Sequence, residues 1–195
     1  MKPLLPVFFL LALSLQIASA ATLLVDNDPT NQTADFHSLT EAVSSAEAGD
    51  TIMVMPSAIR YPSIIFTKSV NLIEPGFGGQ ELFGTSRDLT AELHHLTFTP
   101  GVSGVSIMGF RITGICLFDG VAKGTPINPI DNILLYRNFL GSIGIQISQN
   151  TDGILSNFFV INCWIECPIK LSKLSNDYIL THQVFGFKPR NSSQT

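Results

Sequence analysis

The chain has 195 residues, of which 45% are hydrophobic, and it carries a formal net charge of −4 at pH 7. This acidic balance argues against nucleic acid and anionic membrane surfaces as partners, because both attract clustered lysine and arginine. After residue 20, no uninterrupted apolar stretch approaches the roughly 18 residues that a membrane-spanning helix needs. The length predicts a single domain.

Residues 1–20 have the composition of a secretory signal. Lys2 provides the charged start, residues 4–15 form an apolar run, and residues 18–20 form a small-residue cleavage site of sequence Ala-Ser-Ala. The apolar run is too short to span a bilayer. We therefore expect a secreted protein, extracellular or periplasmic, whose mature chain begins near Ala21.

The segment 35–56 organises the predicted fold. Ser38 and Glu41 have the spacing of a capping box, in which a hydroxyl and a carboxylate accept the free amide hydrogens of a helix start. Apolar residues then fall on one helical face, namely Phe36, Leu39, Val43 and Ala46. Gly49 ends the helix and leads into an apolar strand at 51–55. We expect this helix to cap the open first rung of a stack of parallel strands.

This segment resembles the start of secreted pectin-lyase-like proteins, the right-handed parallel β-helix superfamily. The resemblance lies in Val25-Asp26, residues 36–42, residues 48–52 and Tyr61. The chain departs from the family at residues 57–60, which make a longer approach to the tyrosine than the usual tight Gly-x-Tyr. The resemblance implies an all-β, right-handed parallel β-helix but no particular activity, because the superfamily contains lyases, hydrolases, adhesins and proteins of no known activity.

Two short apolar motifs recur along the rest of the chain. The first is anchored at Val105, Ile133, Ile154 and Ile179, and the second begins at Gly114, Gly144 and Pro168. Two motifs that repeat together indicate stacked coils, since a β-sandwich has no reason to keep both offsets. We expect about five or six coils within residues 21–187, followed by a polar tail at 188–195.

Asp131, Asp152 and Asp177 each lie two residues before an anchor, so we expect them to stack at one corner of successive coils. Carboxylates at the spacing of neighbouring strands repel each other unless a cation, amide donors or protonation relieves them. One hypothesis is a calcium site, since calcium prefers several oxygen ligands. Pectate lyases are similar in holding calcium against aspartates on a β-helix face. The alternative is that each carboxylate accepts hydrogen bonds from the amides of its own corner.

The sequence Asn150-Thr151-Asp152-Gly153 resembles the Asn-Thr-Asp-Gly motif of polygalacturonases, which are β-helical. The resemblance implies a catalytic aspartate at Asp152. Glycoside hydrolysis, however, needs a proton donor and a second carboxylate flanking one bond. Where the family has an aspartate pair one coil later, this chain has Ile165-Glu166-Cys167-Pro168, and the family's Gly-His-Gly and Arg-Ile-Lys segments are missing. The alternative is a tight corner, which favours Asn, Asp and Gly.

The same alignment places three leucines on the outer wall. If the anchors point inward, the next residues, Leu134, Leu155 and Leu180, point outward, because strand side chains alternate. Stacked on successive strands, they form an apolar ladder of a kind that soluble monomers rarely expose. We predict an interface with a second copy or with a protein partner. A covering loop, or a register shifted by one residue, is the alternative.

The cysteines and histidines do not complete a site. Cys116, Cys163 and Cys167 are an odd number in an oxidising compartment, so at least one stays free or pairs with another chain. Cys163 and Cys167 lie on either side of a corner and can bridge, although the sequence does not fix the pairing. His94 and His95 are adjacent in a predicted strand and should point to opposite faces, which prevents joint chelation.

Together these features predict a secreted β-helix protein that binds extracellular polysaccharide or a protein partner without catalysis, with calcium as the one candidate cofactor. The enzymatic alternatives are a calcium-dependent polysaccharide lyase and a degenerate glycoside hydrolase. A second carboxylate, or an arginine base such as Arg111 or Arg137, facing the aspartates would favour an enzyme. A further alternative is that the chain is the N-terminal part of a longer β-helix.

Overall fold

The computed structural model describes residues 19–75, 90–114, 116–118, 130–141, 144–147, 155–165, 170–171 and 178–181. Within these ranges the chain is mostly strand, and its one helix is α1 (Leu39–Ser45). The strands are β1 (Thr22–Val25), β2 (Thr51–Val54), β3 (Ile64–Phe66), β4 (Asn71–Ile73), β5 (Glu92–Leu93), β6 (Leu96–Phe98), β7 (Ser106–Met108), β8 (Arg111–Ile112), β9 (Cys116–Phe118), β10 (Ile130–Tyr136), β11 (Phe139–Leu140), β12 (Gly144–Ile147), β13 (Leu155–Ile161), β14 (Trp164–Ile165), β15 (Lys170–Leu171) and β16 (Tyr178–Thr181).

These strands form three parallel sheets. A seven-stranded sheet has the order β1-β2-β4-β7-β10-β13-β16, a five-stranded sheet has the order β3-β6-β9-β12-β15, and a four-stranded sheet has the order β5-β8-β11-β14. From β7 onward, successive strands belong to the seven-, four- and five-stranded sheets in turn, and this order repeats. The prediction of a strand-dominated chain with parallel pairing and one short helix is confirmed at this level.

Helix α1 is closed at both ends by side chains. At its start, the Ser38 hydroxyl accepts the backbone N–H of Glu41 at 3.3 Å, as the capping motif predicts. At its end, the ammonium group of Lys68 donates to the carbonyl oxygens of Ser44 and Ala46 at 2.9 and 2.5 Å. A cation at this end also suits the negative pole of the helix dipole. The helix contacts β1, β2 and β3, and its buried residues are Leu39, Ala42 and Val43.

The strand predicted at 51–55 is not the first rung of its sheet, because β1 lies against it on the outer side. β1 and β2 pair in parallel along their whole length. The carboxylate of Asp50 holds this edge, accepting the backbone N–H groups of Ala21 at 2.7 Å and Glu47 at 2.8 Å. No strand was predicted at 22–25, although the sequence Thr-Leu-Leu-Val favours one.

The register of the seven-stranded sheet aligns one inward residue of each central strand into a buried column. Its members are Ile52, Leu72, Ile107, Leu135 and Val160, none more than 1% exposed. In the five-stranded sheet, the rings of Phe66 and Phe98 stack with their centroids 5.0 Å apart. Burying each such side chain contributes about 1.5–3 kcal/mol, so these columns provide the apolar stabilisation of the fold.

The predicted alignment of the first motif holds between β7 and β10 but not between β10 and β13. β7 and β10 pair in the register that the anchors require. Ile133, however, lies opposite Phe158, which is four residues after the predicted partner Ile154. The corners explain the shift. Asn132 and Asn157 have positive φ angles of 53° and 47°, so each marks the same left-handed kink within its strand, and the residue after it points inward.

Positive φ angles mark the same two places in three equivalent segments, 104–112, 132–140 and 157–165. The first place holds Gly104, Asn132 and Asn157, and the second holds Gly109, Arg137 and Asn162. Glycine and, at a higher cost, asparagine tolerate this left-handed backbone. At Gly109 a Cβ atom would also lie 2.3 Å from the backbone oxygen of Glu74, so the close approach itself requires glycine. The corners, rather than the apolar anchors, therefore set the repeat.

The second motif pairs the predicted strands, but in a shifted register. Leu117 of β9 lies opposite Gln146 of β12, whereas the alignment predicted Cys116 at that place. Lys170 of β15 lies opposite Gly144, where the alignment predicted Pro168. A shift of one residue exchanges the inward and outward faces of a strand, so the alignment predicts the wrong face for β9 relative to β12.

Candidate functional site

The outer face of the four-stranded sheet carries a continuous line of chemically active side chains. Each strand of this sheet contributes two residues, and the second of the two is buried: Leu93, Ile112, Leu140 and Ile165. The first residue therefore lies on the outer face. The register aligns these outward residues, and a bridge between Tyr61 and Leu93 places Arg60 beside the first of them. We call this line the charged–aromatic column: Arg60, Glu92, Arg111, Phe139 and Trp164.

At one end of the column, an ion pair is formed at the surface. Arg60 donates to Oε1 of Glu92 at 2.5 Å, and the hydroxyl of Thr113 donates to the same oxygen at 3.2 Å. Both charged side chains are partly exposed, so the pair contributes little to stability in water. Its main effect is to fix the position of a carboxylate and a guanidinium side by side on the outer face.

In the middle of the column, the guanidinium group of Arg111 lies over the ring of Phe139. The distance from its Cζ atom to the ring centroid is 4.3 Å, which is cation–π geometry. Phe139 is buried beneath it although it lies at an outward position, while Arg111 itself is exposed. A guanidinium held on an aromatic ring presents its N–H donors in a fixed plane, ready for oxygen acceptors.

At the other end of the column stands Trp164, directly opposite Phe139 in the register. It is 37% exposed and is the single tryptophan of the chain. A large indole ring on an outer strand gives an apolar platform with one N–H donor. The column therefore changes along its length from charged to aromatic.

A polar groove lies beside the charged end of the column, with a volume of about 380 Å³. It is lined by Ser57, Ala58, Arg60, Thr90, Glu92 and Arg111. This volume falls within the range of small-ligand sites, which is about 300–1,000 Å³. Of these lining residues, Glu92 alone carries a carboxylate. The groove thus offers two guanidinium groups, one carboxylate and hydroxyls to a ligand.

The predicted aspartate column is different in the structure. Asp131 lies opposite Ser156 of β13, which takes the place where the alignment expected Asp152. The carboxylate of Asp131 accepts the side-chain amides of Asn132 at 2.7 Å and Asn157 at 2.9 Å. Asp152 and Asp177 lie outside the described residues. In the described part of the chain, no group of three or more His, Cys, Asp or Glu residues is placed to hold a metal. A calcium site stays a prediction.

The predicted leucine ladder is wrong as a stack. Leu134 lies on the outer face of β10 and is partly exposed. Leu155 lies opposite Ile130, at the other end of β10. Leu180 lies opposite Val160, a member of the buried column. The three leucines thus occupy three different positions, because the alignment took its anchors from apolar residues rather than from the corners.

The arginines proposed as bases lie on different sheets. Arg111 belongs to β8 of the four-stranded sheet, whereas Arg137 directly follows β10 of the seven-stranded sheet. Asp131 also belongs to β10, six residues before Arg137. Arg111 therefore faces Glu92 and Phe139 rather than Asp131.

Cys163 is a free, buried thiol. Burial raises its pKa to about 11, so the thiol stays protonated at neutral pH and is a poor nucleophile. The side chains of the other two cysteines lie outside the described residues.

The prediction that His94 and His95 point to opposite faces is wrong. Their rings make an edge-on contact with centroids 3.9 Å apart. The two residues lie between β5 and β6 rather than within a strand, so the alternation rule does not apply to them.

The charged–aromatic column was not predicted from the sequence, because none of its outward residues belongs to either of the two repeated motifs. The strands of the four-stranded sheet have two residues each, which is too short to show a period. The signal that does exist follows the second left-handed position of each equivalent segment: a buried residue, an outward residue and an inward aliphatic residue. It reads Phe-Arg-Ile at 110–112, Asn-Phe-Leu at 138–140 and Cys-Trp-Ile at 163–165.

No protein-family model matches the chain, and neither a curated protein nor a solved structure matches it. In the part of the chain that the structure describes, no helix has the length and apolar character that crossing a membrane requires. The function therefore has to be argued from the residues of this chain.

Proposed function

We propose that this chain is a secreted right-handed parallel β-helix that binds extracellular polysaccharide along the charged–aromatic column. The β-helix is supported by the repeated order in which successive strands join the three parallel sheets. Left-handed residues at equivalent corners support the same winding, because each round turns at the same place. Secretion is supported by the signal-like composition of residues 1–20.

The observation that carries polysaccharide binding is the combination of groups in the column. Sugar rings present apolar C–H faces that pack on aromatic rings, and hydroxyl groups that need hydrogen-bond partners. Trp164 offers an exposed ring at one end. Arg60, Glu92 and Arg111 offer donors and acceptors at the other end. Each half of the column thus matches one half of the chemistry of a sugar.

The length of the column favours a chain over a small sugar. Neighbouring strands lie about 4.8 Å apart, so the four steps from Arg60 to Trp164 span about 19 Å. Its outward residues form an open line across the strands rather than an enclosed pocket. An extended polymer can contact both ends of such a line at once, whereas a single sugar contacts one part.

The described residues favour a protein that binds polysaccharide without cleaving it. Glycoside hydrolysis needs two carboxylates flanking one bond, and Glu92 is the one carboxylate among the described residues that line the groove. That carboxylate is already paired with the guanidinium group of Arg60. The lyase, the degenerate hydrolase and the longer β-helix stay predictions.

Fluorescence titration tests the proposal, because Trp164 is the sole tryptophan and lies in the column. The mature protein is titrated with neutral, acidic and basic soluble polysaccharides. We expect a saturable change in tryptophan emission with at least one of them. Arg111→Ala should weaken that binding about tenfold, which corresponds to losing one charge-assisted contact.

The matched control is Ile65→Ser, since Ile65 is 59% exposed at an outward position of the five-stranded sheet. It should leave the titration unchanged. Affinity electrophoresis in gels that contain the polysaccharide extends the test to Trp164→Ala, which has no tryptophan signal. Absence of saturable binding to every polysaccharide class, or binding that is equally strong in Arg111→Ala and Trp164→Ala, would exclude this site.

A further inference from the structure

The outer face of the seven-stranded sheet carries an unbroken line of apolar side chains. The register of six successive strands aligns one outward residue from each, and every one of them is partly exposed. We call this line the outer apolar column: Leu24, Met53, Ile73, Met108, Tyr136 and Ile161. It crosses five strand spacings, which is about 24 Å.

A second outward column runs beside it, two residues earlier in each strand. It is polar at the N-terminal strands and apolar at the later ones: Thr22, Thr51, Asn71, Ser106, Leu134 and Phe159. None of the twelve outward side chains of the two columns is charged. An outward sheet face that contacts only water normally carries polar and charged residues.

This composition is that of the centre of a protein–protein interface. Such centres are depleted of charged residues and enriched in aromatic residues and methionine. Here Met53, Met108, Tyr136 and Phe159 lie together on one face. A nucleic acid would find no cationic side chain in these two columns, and their apolar half offers few polar partners to a polysaccharide, so the face suits a protein partner.

The charges at the two ends of β10 favour a second copy of this chain as the protein partner. Asp131 lies three residues before Leu134, and Arg137 lies three residues after it. A two-fold axis that lies in the plane of the interface, perpendicular to the strands at Leu134, reverses β10 against its copy. Asp131 of each copy then lies beside Arg137 of the other. A two-fold interface requires this kind of self-complementarity, in which each patch meets the same patch of the partner.

We propose that this outer face, with both of its outward columns, docks a second copy of this chain, face to face, with the β10 strands antiparallel and two Asp131–Arg137 ion pairs between the copies. The column that contains Leu134 and Phe159 lies on the two-fold axis, the outer apolar columns of the two copies flank it on either side, and the ion pairs fix the direction of the strands. The interface goes beyond polysaccharide binding and does not depend on it, because the charged–aromatic column lies on a different sheet. A dimer carries two such columns, which would strengthen binding to one polymer chain through avidity.

Sedimentation velocity of the purified mature protein over a range of concentrations tests the dimer. We expect a dimer for the natural sequence. Asp131→Arg and Arg137→Asp should each raise the dimer Kd about tenfold or more, because each places like charges opposite one another. The double variant, Asp131→Arg with Arg137→Asp, should restore the natural Kd, because the two pairs are then reversed but complementary.

Two further variants complete the test. Tyr136→Asp places a charge at the centre of the outer apolar column and should give a monomer, whereas Ile65→Ser, on another sheet, should leave the dimer intact. Circular dichroism checks that each variant folds. Asp131→Arg also removes the hydrogen bonds from Asn132 and Asn157, so Arg137→Asp, which leaves those bonds in place, decides the charge test if the former fails to fold.

A monomeric natural protein at the highest concentration would overturn the proposal. So would a dimer that Arg137→Asp and Tyr136→Asp leave unchanged, since its interface would lie elsewhere. If the single charge variants dissociate the dimer but the double variant does not restore it, the antiparallel arrangement of the β10 strands is wrong.

Discussion

The N-terminal region at 19–75 and the equivalent segments at 104–112, 132–140 and 157–165 stabilise their corners in different ways. In the N-terminal region, charged side chains reach backbone groups. Asp50 accepts the N–H groups of two residues, and Lys68 donates to two carbonyl oxygens at the end of α1. In the equivalent segments, mostly neutral residues serve instead: left-handed glycine and asparagine, with Arg137 as the one charged residue at such a position, and the buried side chains of Asn138 and Cys163.

The difference follows from which backbone N–H and C=O groups each region has to pair in hydrogen bonds. The end of a helix and the edge of a sheet each leave unpaired backbone groups, and each of these features occurs once in the N-terminal region. Long charged side chains can reach such groups from elsewhere in the chain. Each of the equivalent segments has the same left-handed positions, and a short amide or thiol can serve there because its partners lie one strand away. The comparison implies that sensitivity to acid belongs to the N-terminal region, while sensitivity to small changes in packing belongs to the later corners.

The largest expected effect is at Asn138, which is fully buried at the corner between β10 and β11. Its amide donates to the carbonyl of Ile107 at 2.8 Å, and its oxygen accepts the N–H of Phe110 at 2.9 Å. Asn138→Ala leaves both backbone groups buried without these bonds. Because each such loss costs about 1–3 kcal/mol, we expect the free energy of unfolding to fall by about 2–4 kcal/mol. Urea denaturation measures the change.

The control for Asn138→Ala is Asn132→Gly. Asn132 is exposed and has a left-handed backbone that glycine adopts without strain, so this change removes an amide at little cost. We expect its effect to be well below that of Asn138→Ala. An equal loss in the two variants would show that the buried amide does not hold the corner, and the contrast between the two regions would lose its main support.

The next expected effect is on the acid side, at Asp50. Hydrogen bonds from the N–H groups of Ala21 and Glu47 lower the pKa of this carboxyl below its ordinary value of 3.8. When folding lowers the pKa of a carboxyl group, the ionised group stabilises the folded protein at pH values above the unfolded pKa. This stabilisation is lost as the pH falls through the folded pKa. The natural protein should therefore lose thermal stability below about pH 4, and Asp50→Asn should lower Tm at pH 7 but flatten the decline in acid.

Asp28 provides a matched control for Asp50. Its pKa is also lowered, by hydrogen bonds from the side chain and backbone of Thr30, but it is exposed and its partner is two residues away. Asp28→Asn removes no tie between distant elements, so it should change Tm at pH 7 less than Asp50→Asn does. Thermal melts of both variants from pH 2.5 to 7 make the comparison. If Asp28→Asn flattens the decline of Tm in acid as much as Asp50→Asn does, the hydrogen bonds from Ala21 and Glu47 to Asp50 are not the cause of that decline.

The sequence predicted the parts of the fold that local chemistry determines. The Ser38 cap, the strand-rich parallel architecture and the pairing of β7 with β10 follow from hydrogen-bonding residues and apolar spacing near each other in the chain. The register of β13 did not follow, because Gly153-Ile154-Leu155 resembles the earlier motif more closely than the true partner at 157–160 does. Asn157, whose left-handed corner fixes the register, is not apolar and carried no weight in the alignment.

The candidate site was harder to predict because no single strand contains it. Each strand of the four-stranded sheet supplies one member of the charged–aromatic column, and only the register brings Arg111, Phe139 and Trp164 into line. Residues far apart in sequence become neighbours through pairing, which a search for local motifs cannot detect. For the same reason, the leucines aligned by motif do not stack, and Ser156 lies opposite Asp131 at the place expected for Asp152.

The smallest expected effect is at Cys163, which occupies in the segment 157–165 the position that Asn138 occupies in the segment 132–140. Its sulfur accepts the N–H of Asn138 at 3.5 Å, and its single S–H can donate to the carbonyl of either Leu135 or Ile161, each 3.4 Å away. These are long, weak bonds, and the thiol stays protonated below its raised pKa of about 11. Cys163→Ala should therefore cost only about 1 kcal/mol in unfolding free energy, without pH dependence between pH 6 and about pH 8.

Urea denaturation under reducing conditions, beside Asn138→Ala, measures this difference. The side-chain amide of Asn138 bonds two backbone groups of the preceding equivalent segment at ordinary distances, whereas the thiol of Cys163 makes only long contacts. The loss of unfolding free energy should therefore be larger for Asn138→Ala than for Cys163→Ala by a factor of about two or more. If Cys163→Ala lowers the unfolding free energy as much as Asn138→Ala does, then the volume of the buried side chain, rather than its hydrogen bonds to the backbone, stabilises the segments 132–140 and 157–165. The neutral corners would then depend on packing volume, and Cys163→Val should recover the stability that Cys163→Ser does not.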